Sequence, residues 1–224
     1  MNAVKAVIFD MDGVVLHNNH WHLEAWLAYA RRRNILLQRE EVSTRVFGRT
    51  NREIILQAYP GSSEEIIQQW SAEKEELYRE MYSPHFCLAE GLENLLHLLK
   101  KQDFKIALAS NAPKENVDFA LDKGNIRSFF QSILFEGMAP RPKPFPDIYL
   151  LAAEMLGIGP QHCLVLEDSP TGIRAGRAAG CRVIGITSTF SRQELLHFTP
   201  EVVDGMEEVS SLLFHHPEPD SLDF

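Results

Sequence analysis

Two aspartates separated by a single residue follow the first apolar run of the sequence. Asp10 and Asp12 come directly after the apolar residues 7–9, and Gly13 follows them. An unbroken apolar run predicts a strand buried on both faces, and a glycine permits the sharp turn or close backbone approach that a ligand requires. Open α/β sheets hold their ligands at the carboxyl ends of the strands. The stretch therefore predicts an acidic site, although a turn whose aspartates cap loop amides has the same pattern.

Polar residues also stand where later predicted strands end, at 105–109 and 163–166, and in a proline-rich loop between these strands. These residues are Ser110, Asn111, Lys143, Glu167 and Asp168. In a parallel sheet the carboxyl ends of the strands lie along one edge. We therefore expect these side chains to converge on the two aspartates.

Carboxylates gathered in one pocket repel each other, and two unit charges about 4 Å apart cost roughly 4 kcal/mol at an effective dielectric of ~20. A hard divalent cation relieves this repulsion, and carboxylates, a carbonyl and water suit Mg²⁺, whose shell a substrate phosphate completes. With the metal present, Asp10 can attack phosphorus and form an aspartyl-phosphate. Lys143 and the donors near Ser110 would stabilise charge on the transferring group. Asp12 is placed to protonate the leaving oxygen and later to deprotonate water.

Taken together, these residues resemble the four motifs of the haloacid dehalogenase (HAD) superfamily, which occur in the same order. The subgroup that the chain resembles is the β-phosphoglucomutase-like phosphatases, which carry a helical cap inserted after the first motif. The similarity extends over essentially the whole chain. The stretches that carry it are Asp10-Met11-Asp12-Gly13-Val14, Ser110-Asn111, Lys143-Pro144-Phe145-Pro146-Asp147 and Glu167-Asp168-Ser169-Pro170-Thr171-Gly172.

The resemblance assigns the chemistry to the first motif. It implies that Asp10 is the nucleophile and a Mg²⁺ ligand. It also implies that Asp12 is the general acid and base and offers its main-chain carbonyl to the metal. True dehalogenases attack carbon and resemble this pattern without the second aspartate or the metal, so the two-acid motif speaks against that activity.

The later motifs are expected to bind the phosphoryl group and the metal. The resemblance implies phosphoryl binding by Ser110, Asn111 and Lys143. It implies that Asp168 is a metal ligand and that Glu167 is one directly or through water. Considered alone, Ser110 would also fit a strand-end cap, and Glu167 would also fit a charge at a helix N-terminus.

Strands and helices alternate from residue 90 onward, which predicts a parallel sheet with right-handed crossovers. Residues 16–85 instead contain three predicted helices, at 20–33, 52–59 and 63–82, with a possible capping box formed by Ser62 and Glu65. The fold class is therefore α/β, with a Rossmann-like parallel-sheet core and an inserted α-helical cap domain. The predicted core comprises 1–15 and 86–224, and the predicted cap comprises 16–85. Strands are predicted at 7–9, 105–109, 131–135, 163–166 and 182–186, and core helices at 92–101, 113–123, 146–157 and 170–180.

The cap is expected to choose the substrate, because it covers a core that many enzymes share. In the mutases that this chain resembles, a histidine and a tryptophan of the first cap helix face the site, and His22 and Trp26 match them. Phe47 replaces a lysine of the mutases, and Asn51 falls where they have a substrate-contacting arginine. This departure weakens the mutase interpretation, and His22 also fits a histidine satisfied on a helix face. The loop that holds the remaining candidates contains Arg49, Thr50, Asn51 and Arg52.

The composition limits the partners. A net charge of −9 speaks against a nucleic-acid footprint, since no Lys/Arg cluster stands out beyond the three arginines at 31–33. The sequence lacks the charged and apolar regions of a signal peptide and any apolar run of membrane-spanning length. We expect a cytoplasmic monomer without a membrane partner. The three cysteines, Cys87, Cys163 and Cys181, have no metal-binding spacing and are expected to be buried small hydrophobes in a reducing compartment.

The sequence thus predicts a Mg²⁺-dependent phosphatase for a small phosphorylated metabolite, with a sugar phosphate as the expected substrate. Two alternatives remain open. One is β-phosphoglucomutase, which isomerises hexose phosphates, and the other is a non-catalytic metabolite-binding module on the same fold. The intact set of acidic motif residues argues against the second alternative.

Overall fold

The computed structural model describes residues 3–35, 39 and 49–214, and its centre is a six-stranded sheet in which all neighbouring strands are parallel. The strand order is β3-β2-β1-β4-β5-β6. The predicted α/β class with a parallel sheet is therefore confirmed. The strands are β1 (Ala6–Phe9), β2 (Lys105–Ala109), β3 (Ser132–Leu134), β4 (Cys163–Glu167), β5 (Arg182–Ile186) and β6 (Val202–Val203).

Helices connect the strands and cover both faces of the sheet. The last strand and the last two helices were not predicted. β6 has two residues and α8 has five, which are too few to give a periodic signal. The helices are α1 (Asn19–Arg32), α2 (Asn51–Ala58), α3 (Glu64–Tyr82), α4 (Leu92–Lys101), α5 (Lys114–Lys123), α6 (Asp147–Leu156), α7 (Pro170–Ala178), α8 (Arg192–Leu196) and α9 (Met206–Phe214).

The residues of the central strand alternate between two apolar clusters, one on each face of the sheet. In β1, Val7 and Phe9 belong to the cluster covered by α4, α5 and α9. Ala6 and Ile8 belong to the cluster covered by α6, α7 and α8. Because both faces are covered and β1 is paired on both sides, the carboxyl edge of the sheet is the place where its polar residues can gather.

Helices α1, α2 and α3, which we call the three-helix group, form an apolar cluster of their own. Its fully or nearly buried members include Leu27 of α1, Ile55 of α2 and Leu77 of α3. The three helices predicted within 16–85 are confirmed, and the division of the chain into a core and a cap domain stays a prediction. The predicted tail from 215 onward lies outside the described residues.

Most predicted helix ends lie within one or two residues of the observed ones, and at the starts of α3 and α6 the difference concerns the capping residue. Ser63, not Ser62, caps α3, and its hydroxyl accepts a hydrogen bond from Ile66 N at 3.3 Å. The Ser62 hydroxyl instead donates to Tyr59 O, so the predicted capping box is wrong. Pro146 stands at the N-cap of α6 and not in its first turn.

Cysteine burial is confirmed for two residues and corrected for the third. Cys163 and Cys181 are buried, whereas Cys87 is exposed. Its main chain is held from inside by Tyr82, whose hydroxyl donates to Cys87 O at 2.9 Å, and this leaves the thiol on the outside.

Among the helices described here, none combines the length and the apolar character that crossing a membrane requires.

Candidate active site

The Lys143 side chain joins the carboxyl ends of β1, β2 and β4. Its ammonium group donates to Asp10 Oδ1 at 2.6 Å, to Glu167 Oε1 at 2.7 Å and to Ala109 O at 3.0 Å. Lys143 is only 5% exposed, and its main-chain N–H donates to Asn111 Oδ1 at 3.3 Å. The loop that carries it is therefore fixed to the end of β2, and one buried cation faces two buried carboxylates.

Three carboxyl groups meet at this edge. Oxygen atoms of Asp10, Glu167 and Asp168 all lie within 4.8 Å of one another. Burial, with the nearby charges of Glu167 and Asp12, raises the pKa of Asp10 from 3.8 to about 7, although Lys143 opposes this rise. Burial, followed by the charges of Glu167 and Asp10, raises the pKa of Asp168 well above its usual value. A hard divalent cation would relieve this strain, and an all-oxygen ligand set suits Mg²⁺.

The two oxygens of Glu167 are already occupied by protein donors. Oε1 accepts hydrogen bonds from Lys143 and from the Tyr149 hydroxyl, the latter at 2.6 Å. Oε2 accepts from the Ser169 hydroxyl at 3.0 Å and from Ser169 N at 3.3 Å. Burial and the charge of Glu167 raise the pKa of Tyr149 well above 10.0, so its hydroxyl stays a donor. These contacts favour Glu167 as the group that holds Lys143.

Asp168 is bound by residues from two other parts of the chain. Its Oδ2 accepts a hydrogen bond from Asn19 Nδ2 at 3.0 Å and another from the Thr189 hydroxyl. Asn19 opens α1, so this contact ties the three-helix group to the edge of the sheet. Sequence reasoning missed Asn19 and Thr189, since a short polar residue at a helix start or in a loop is ordinary there.

Asp12 lies in a different environment from Asp10. Its Oδ1 accepts from Asn18 Nδ2 at 2.5 Å and lies 3.5 Å from His22 Nε2. Asn18 also contacts the Tyr78 hydroxyl at 2.6 Å, and the rings of His22 and Tyr78 stack with centroids 3.8 Å apart. Burial, the largest influence, would raise the pKa of Asp12, but His22 and Asn18 outweigh it and hold this pKa below its usual value.

A buried ion pair on α3 lies behind His22 and was missed in the sequence. Lys74 Nζ is 2.9 Å from His22 Nδ1 and 2.9 Å from Glu75 Oε1. Glu75 Oε2 accepts from Asn116 Nδ2 of α5 at 2.7 Å. Burial alone would raise the pKa of Glu75, but Lys74 and His22 lower it to about 2. The sequence carried a signal, because Lys74 lies four residues before Tyr78 and so falls on the same face of the helix as this aromatic residue.

The remaining predicted residues divide into those that reach the site and one that does not. A cavity of about 820 Å³, including its open mouth, is lined by the motif residues and by His22, Trp26, Arg49, Thr50 and Asn51. Ser110 is buried there, and its hydroxyl accepts from Ala112 N at 3.0 Å.

The prediction for Arg52 is not supported, because its guanidinium pairs with the exposed Glu64 at the surface. Phe47 and Gly48 lie outside the described residues.

Comparisons with known proteins agree with this geometry. A family model described as haloacid dehalogenase-like hydrolase matches residues 4–180. A phosphorylated carbohydrates phosphatase of Thermotoga maritima is 28% identical over 194 residues, 84% of this chain and 88% of that protein. A β-phosphoglucomutase of Bacillus subtilis is 32% identical over 197 residues, 82% of this chain and 83% of that protein. The crystal structure of a HAD hydrolase of family IA, variant 3, from Entamoeba histolytica has a TM-score of 0.87 at 31% identity, covering 94% of this chain and 97% of the other.

The close packing around Gly13 gives a first prediction. Gly13 has a φ of +81°, and a Cβ there would lie 1.9 Å from Asp168 Oδ2. Gly61 has a φ of +88° with nothing within 4 Å of such a Cβ, so it is the matched control. We expect Gly61→Ala to cost about 1–2 kcal/mol of unfolding free energy from the backbone alone, and Gly13→Ala to cost roughly 1–3 kcal/mol more from overpacking. Urea denaturation measures both, and equal losses would contradict the packing shown here.

Proposed function

This chain belongs to the haloacid dehalogenase-like hydrolase family, and we propose that it is a Mg²⁺-dependent phosphatase for a small phosphorylated metabolite, specifically a sugar phosphate. The observation that carries the proposal is the bridge from Lys143 Nζ to Asp10 and Glu167, beside Asp168. It brings together at one edge of the sheet a carboxylate that could act as the nucleophile, a cation, and oxygen atoms that could bind a hard metal ion. The names of the relatives, a phosphatase of phosphorylated carbohydrates and a β-phosphoglucomutase, support a sugar phosphate.

The residues present fit a magnesium ion. Asp10 and Asp168 would hold it, together with the main-chain carbonyl of Asp12, and Glu167 would reach it through water because its oxygens already accept protein donors. When bound, Mg²⁺ supplies positive charge that offsets the carboxylates and polarises the phosphoryl oxygens.

Asp10 and Asp12 would divide the reaction into two displacements. In the first, a carboxylate oxygen of Asp10 attacks phosphorus, the bond from phosphorus to the ester oxygen breaks, and Asp12 gives its proton to that oxygen. In the second, Asp12 takes a proton from water, whose oxygen attacks phosphorus and releases inorganic phosphate and free Asp10. Lys143 and the donors near Ser110 stabilise the charge on the transferring oxygens in both steps.

The surroundings of Asp12 suit a group that both gives and takes a proton. Its lowered pKa favours the carboxylate form that the second step needs. For the first step it must carry a proton, and His22, with Nε2 3.5 Å from Asp12 Oδ1, would orient that carboxyl group. His22 is in turn fixed by Lys74 and by the stacked ring of Tyr78. We therefore assign His22 the role of a positioning residue for Asp12.

The three-helix group would act as the cap that covers the substrate. It contributes Trp26, Thr50 and Asn51 to the cavity whose floor is the motif residues. Thr50 also has a structural role, since its hydroxyl caps α2 in a capping box with Glu53. We expect Trp26 and Asn51 to contact the sugar, and the cap to exclude bulk water during the reaction.

Replacing the nucleophile gives the direct test. We expect Asp10→Asn to lower Mg²⁺-dependent turnover of p-nitrophenyl phosphate by at least about 10³-fold, because the amide cannot form the aspartyl-phosphate. Asp122→Asn changes an exposed aspartate of α5 in the same way and is the control, with activity close to that of the wild type. Circular dichroism should be the same for all three proteins. Normal turnover by Asp10→Asn would refute the proposed nucleophile.

The raised pKa of Asp10 predicts how pH and metal affect stability. Between about pH 4 and pH 7, the metal-free folded state holds a proton at Asp10 that the unfolded chain has lost, so its unfolding free energy falls as pH rises. Mg²⁺ binds the ionised carboxyl and should raise the thermal midpoint more at about pH 8 than at about pH 5. Asp10→Asn should weaken both the fall of the unfolding free energy with pH and the pH dependence of the Mg²⁺ effect. A larger Mg²⁺ effect at the lower pH would contradict the assignment.

A mutase assay distinguishes the proposed phosphatase from the alternative, a β-phosphoglucomutase. The 32% identity to a β-phosphoglucomutase supports this alternative. We expect the enzyme, given a hexose 1-phosphate with a hexose 1,6-bisphosphate, to release free phosphate. Formation of hexose 6-phosphate with little free phosphate would identify a mutase instead. Phosphorus NMR of the reaction mixture distinguishes the two products.

A further inference from the structure

Asn19 stands at the start of α1, but its side chain serves a different part of the chain. Asparagine near a helix start is common because its side chain can satisfy the main-chain N–H groups of the first turn. Here Asn18 is the N-cap residue, and no side-chain capping hydrogen bond is formed. The Asn19 amide instead donates to Asp168 Oδ2 at 3.0 Å and to the Thr189 hydroxyl. This contact therefore needs an explanation other than helix capping.

Asn19, Asp168 and Thr189 form a closed triangle of hydrogen bonds, because the Thr189 hydroxyl also donates to Asp168 Oδ2. Asp168 is 4% exposed, so water competes little for its carboxyl group. The main chain at Gly13 packs directly against the triangle, since a Cβ on Gly13 would lie 1.9 Å from Asp168 Oδ2 and 2.8 Å from Asn19 Nδ2. The triangle is thus a close-packed contact between α1 and the edge of the sheet.

The triangle uses one oxygen of Asp168 and leaves the other. Oδ2 accepts both hydrogen bonds, whereas Oδ1 accepts none from the residues that the structure describes. A carboxylate that is held at one oxygen has a fixed orientation, so its second oxygen loses little freedom when it binds an ion. Removal of a group that orients a metal ligand in this way commonly costs about 10–100-fold in metal affinity.

Thr189 and Asn19 hold the same oxygen from different parts of the molecule. Thr189 belongs to the loop that follows β5, and this loop is fixed to the first motif because the neighbouring Ser188 hydroxyl donates to Gly13 O. Asn19 belongs to α1 and reaches Asp168 only when the three-helix group lies against the edge of the sheet. One of the two contacts that orient Asp168 therefore depends on the position of the three-helix group.

We propose that Asn19 is a positioning residue that couples the metal site to the three-helix group. The arrangement in which Asn19 contacts Asp168 is called the closed arrangement. Because Asn19 orients Asp168 only in the closed arrangement, Mg²⁺ binds that arrangement more tightly. Coupling between two equilibria is reciprocal, so bound Mg²⁺ favours closure by the same factor. This inference rests on the Mg²⁺ site of the proposed phosphatase and adds a control of its cap.

Mg²⁺ binding to the full-length protein without substrate, measured by isothermal titration calorimetry, tests the first half of the coupling. We expect Asn19→Ala to raise the Kd for Mg²⁺ by about tenfold or more, because Asp168 loses an orienting donor. Asn94→Ala changes an exposed asparagine in the first turn of α4 and is the matched control, with a Kd within about twofold of the wild type. Circular dichroism shows whether the variants are folded.

Tryptophan fluorescence tests the second half, because the three tryptophans of the chain, Trp21, Trp26 and Trp70, all lie in the three-helix group. Trp26 also lines the cavity between this group and the sheet. We expect saturating Mg²⁺ to reduce quenching of the wild type by acrylamide, since closure covers the cavity side of Trp26. The same addition should leave quenching of Asn19→Ala unchanged.

Thr189→Val distinguishes coupling from orientation alone. It removes the hydroxyl that holds the same oxygen of Asp168 but keeps Asn19 on α1. We expect it to raise the Kd for Mg²⁺ by about tenfold as well, yet to keep the Mg²⁺-dependent loss of quenching once the ion is saturating. Loss of that response in Thr189→Val would contradict the special role of Asn19.

The outcomes separate the coupling from the proposed activity. A wild type that neither binds Mg²⁺ nor shows Mg²⁺-dependent turnover of p-nitrophenyl phosphate would refute the phosphatase and the coupling together. Normal turnover with equal Kd values for Asn19→Ala and Asn94→Ala would refute the coupling alone. Weaker Mg²⁺ binding by Asn19→Ala, with the same Mg²⁺ effect on quenching as in the wild type, would show that Asn19 orients Asp168 without linking it to the three-helix group, and would also overturn the coupling.

Discussion

The ion pairs of Lys143 are the constraint on which the site depends. Parallel pairing aligns Phe9 of β1 with Leu166 of β4, so the residues that follow, Asp10 and Glu167, are brought side by side at the edge of the sheet. Two buried carboxylates that lie side by side repel each other strongly unless a cation lies close to both. Lys143 provides the permanent one from a loop between β3 and α6. The third carboxylate, Asp168, accepts hydrogen bonds from Asn19 and Thr189 but pairs with no cationic side chain among the residues that the structure describes. Its burial, followed by the charges of Glu167 and Asp10, raises its pKa.

This arrangement explains which parts of the molecule could be predicted from the sequence. An apolar run that ends in charged residues is a local pattern. Because neighbouring strands are paired in register, the charged residues at their ends lie next to each other in the site, as Asp10 and Glu167 do. Lys143 was found because prolines on both sides marked its loop and the family motif gave it a place. Elements without a strong local pattern, such as the two-residue β6, could not be found in this way.

The residues that sequence analysis missed make contacts with residues that are far from them in the sequence. Lys74 and Glu75 belong to an amphipathic helix in which charged residues usually face solvent, and only the fold brings His22 and Asn116 to meet them. Arg52 illustrates the opposite case, since its position suggested a ligand contact but its guanidinium pairs with the exposed Glu64. Which of two nearby groups a long side chain reaches depends on helix packing that one sequence does not specify.

The separate apolar cluster of the three-helix group has a consequence for how such a protein can diverge. Leu27, Ile55 and Leu77 give that group an apolar cluster of its own, while Tyr78 and Tyr82 of α3 also pack in the cluster on one face of the sheet. Changes on its inner surface can therefore accumulate while the strand edge keeps its register and its charges. Substitutions in this group that spare Asn19 and His22 can therefore change which metabolite fits the cavity while the contacts to Asp168 and Asp12 persist.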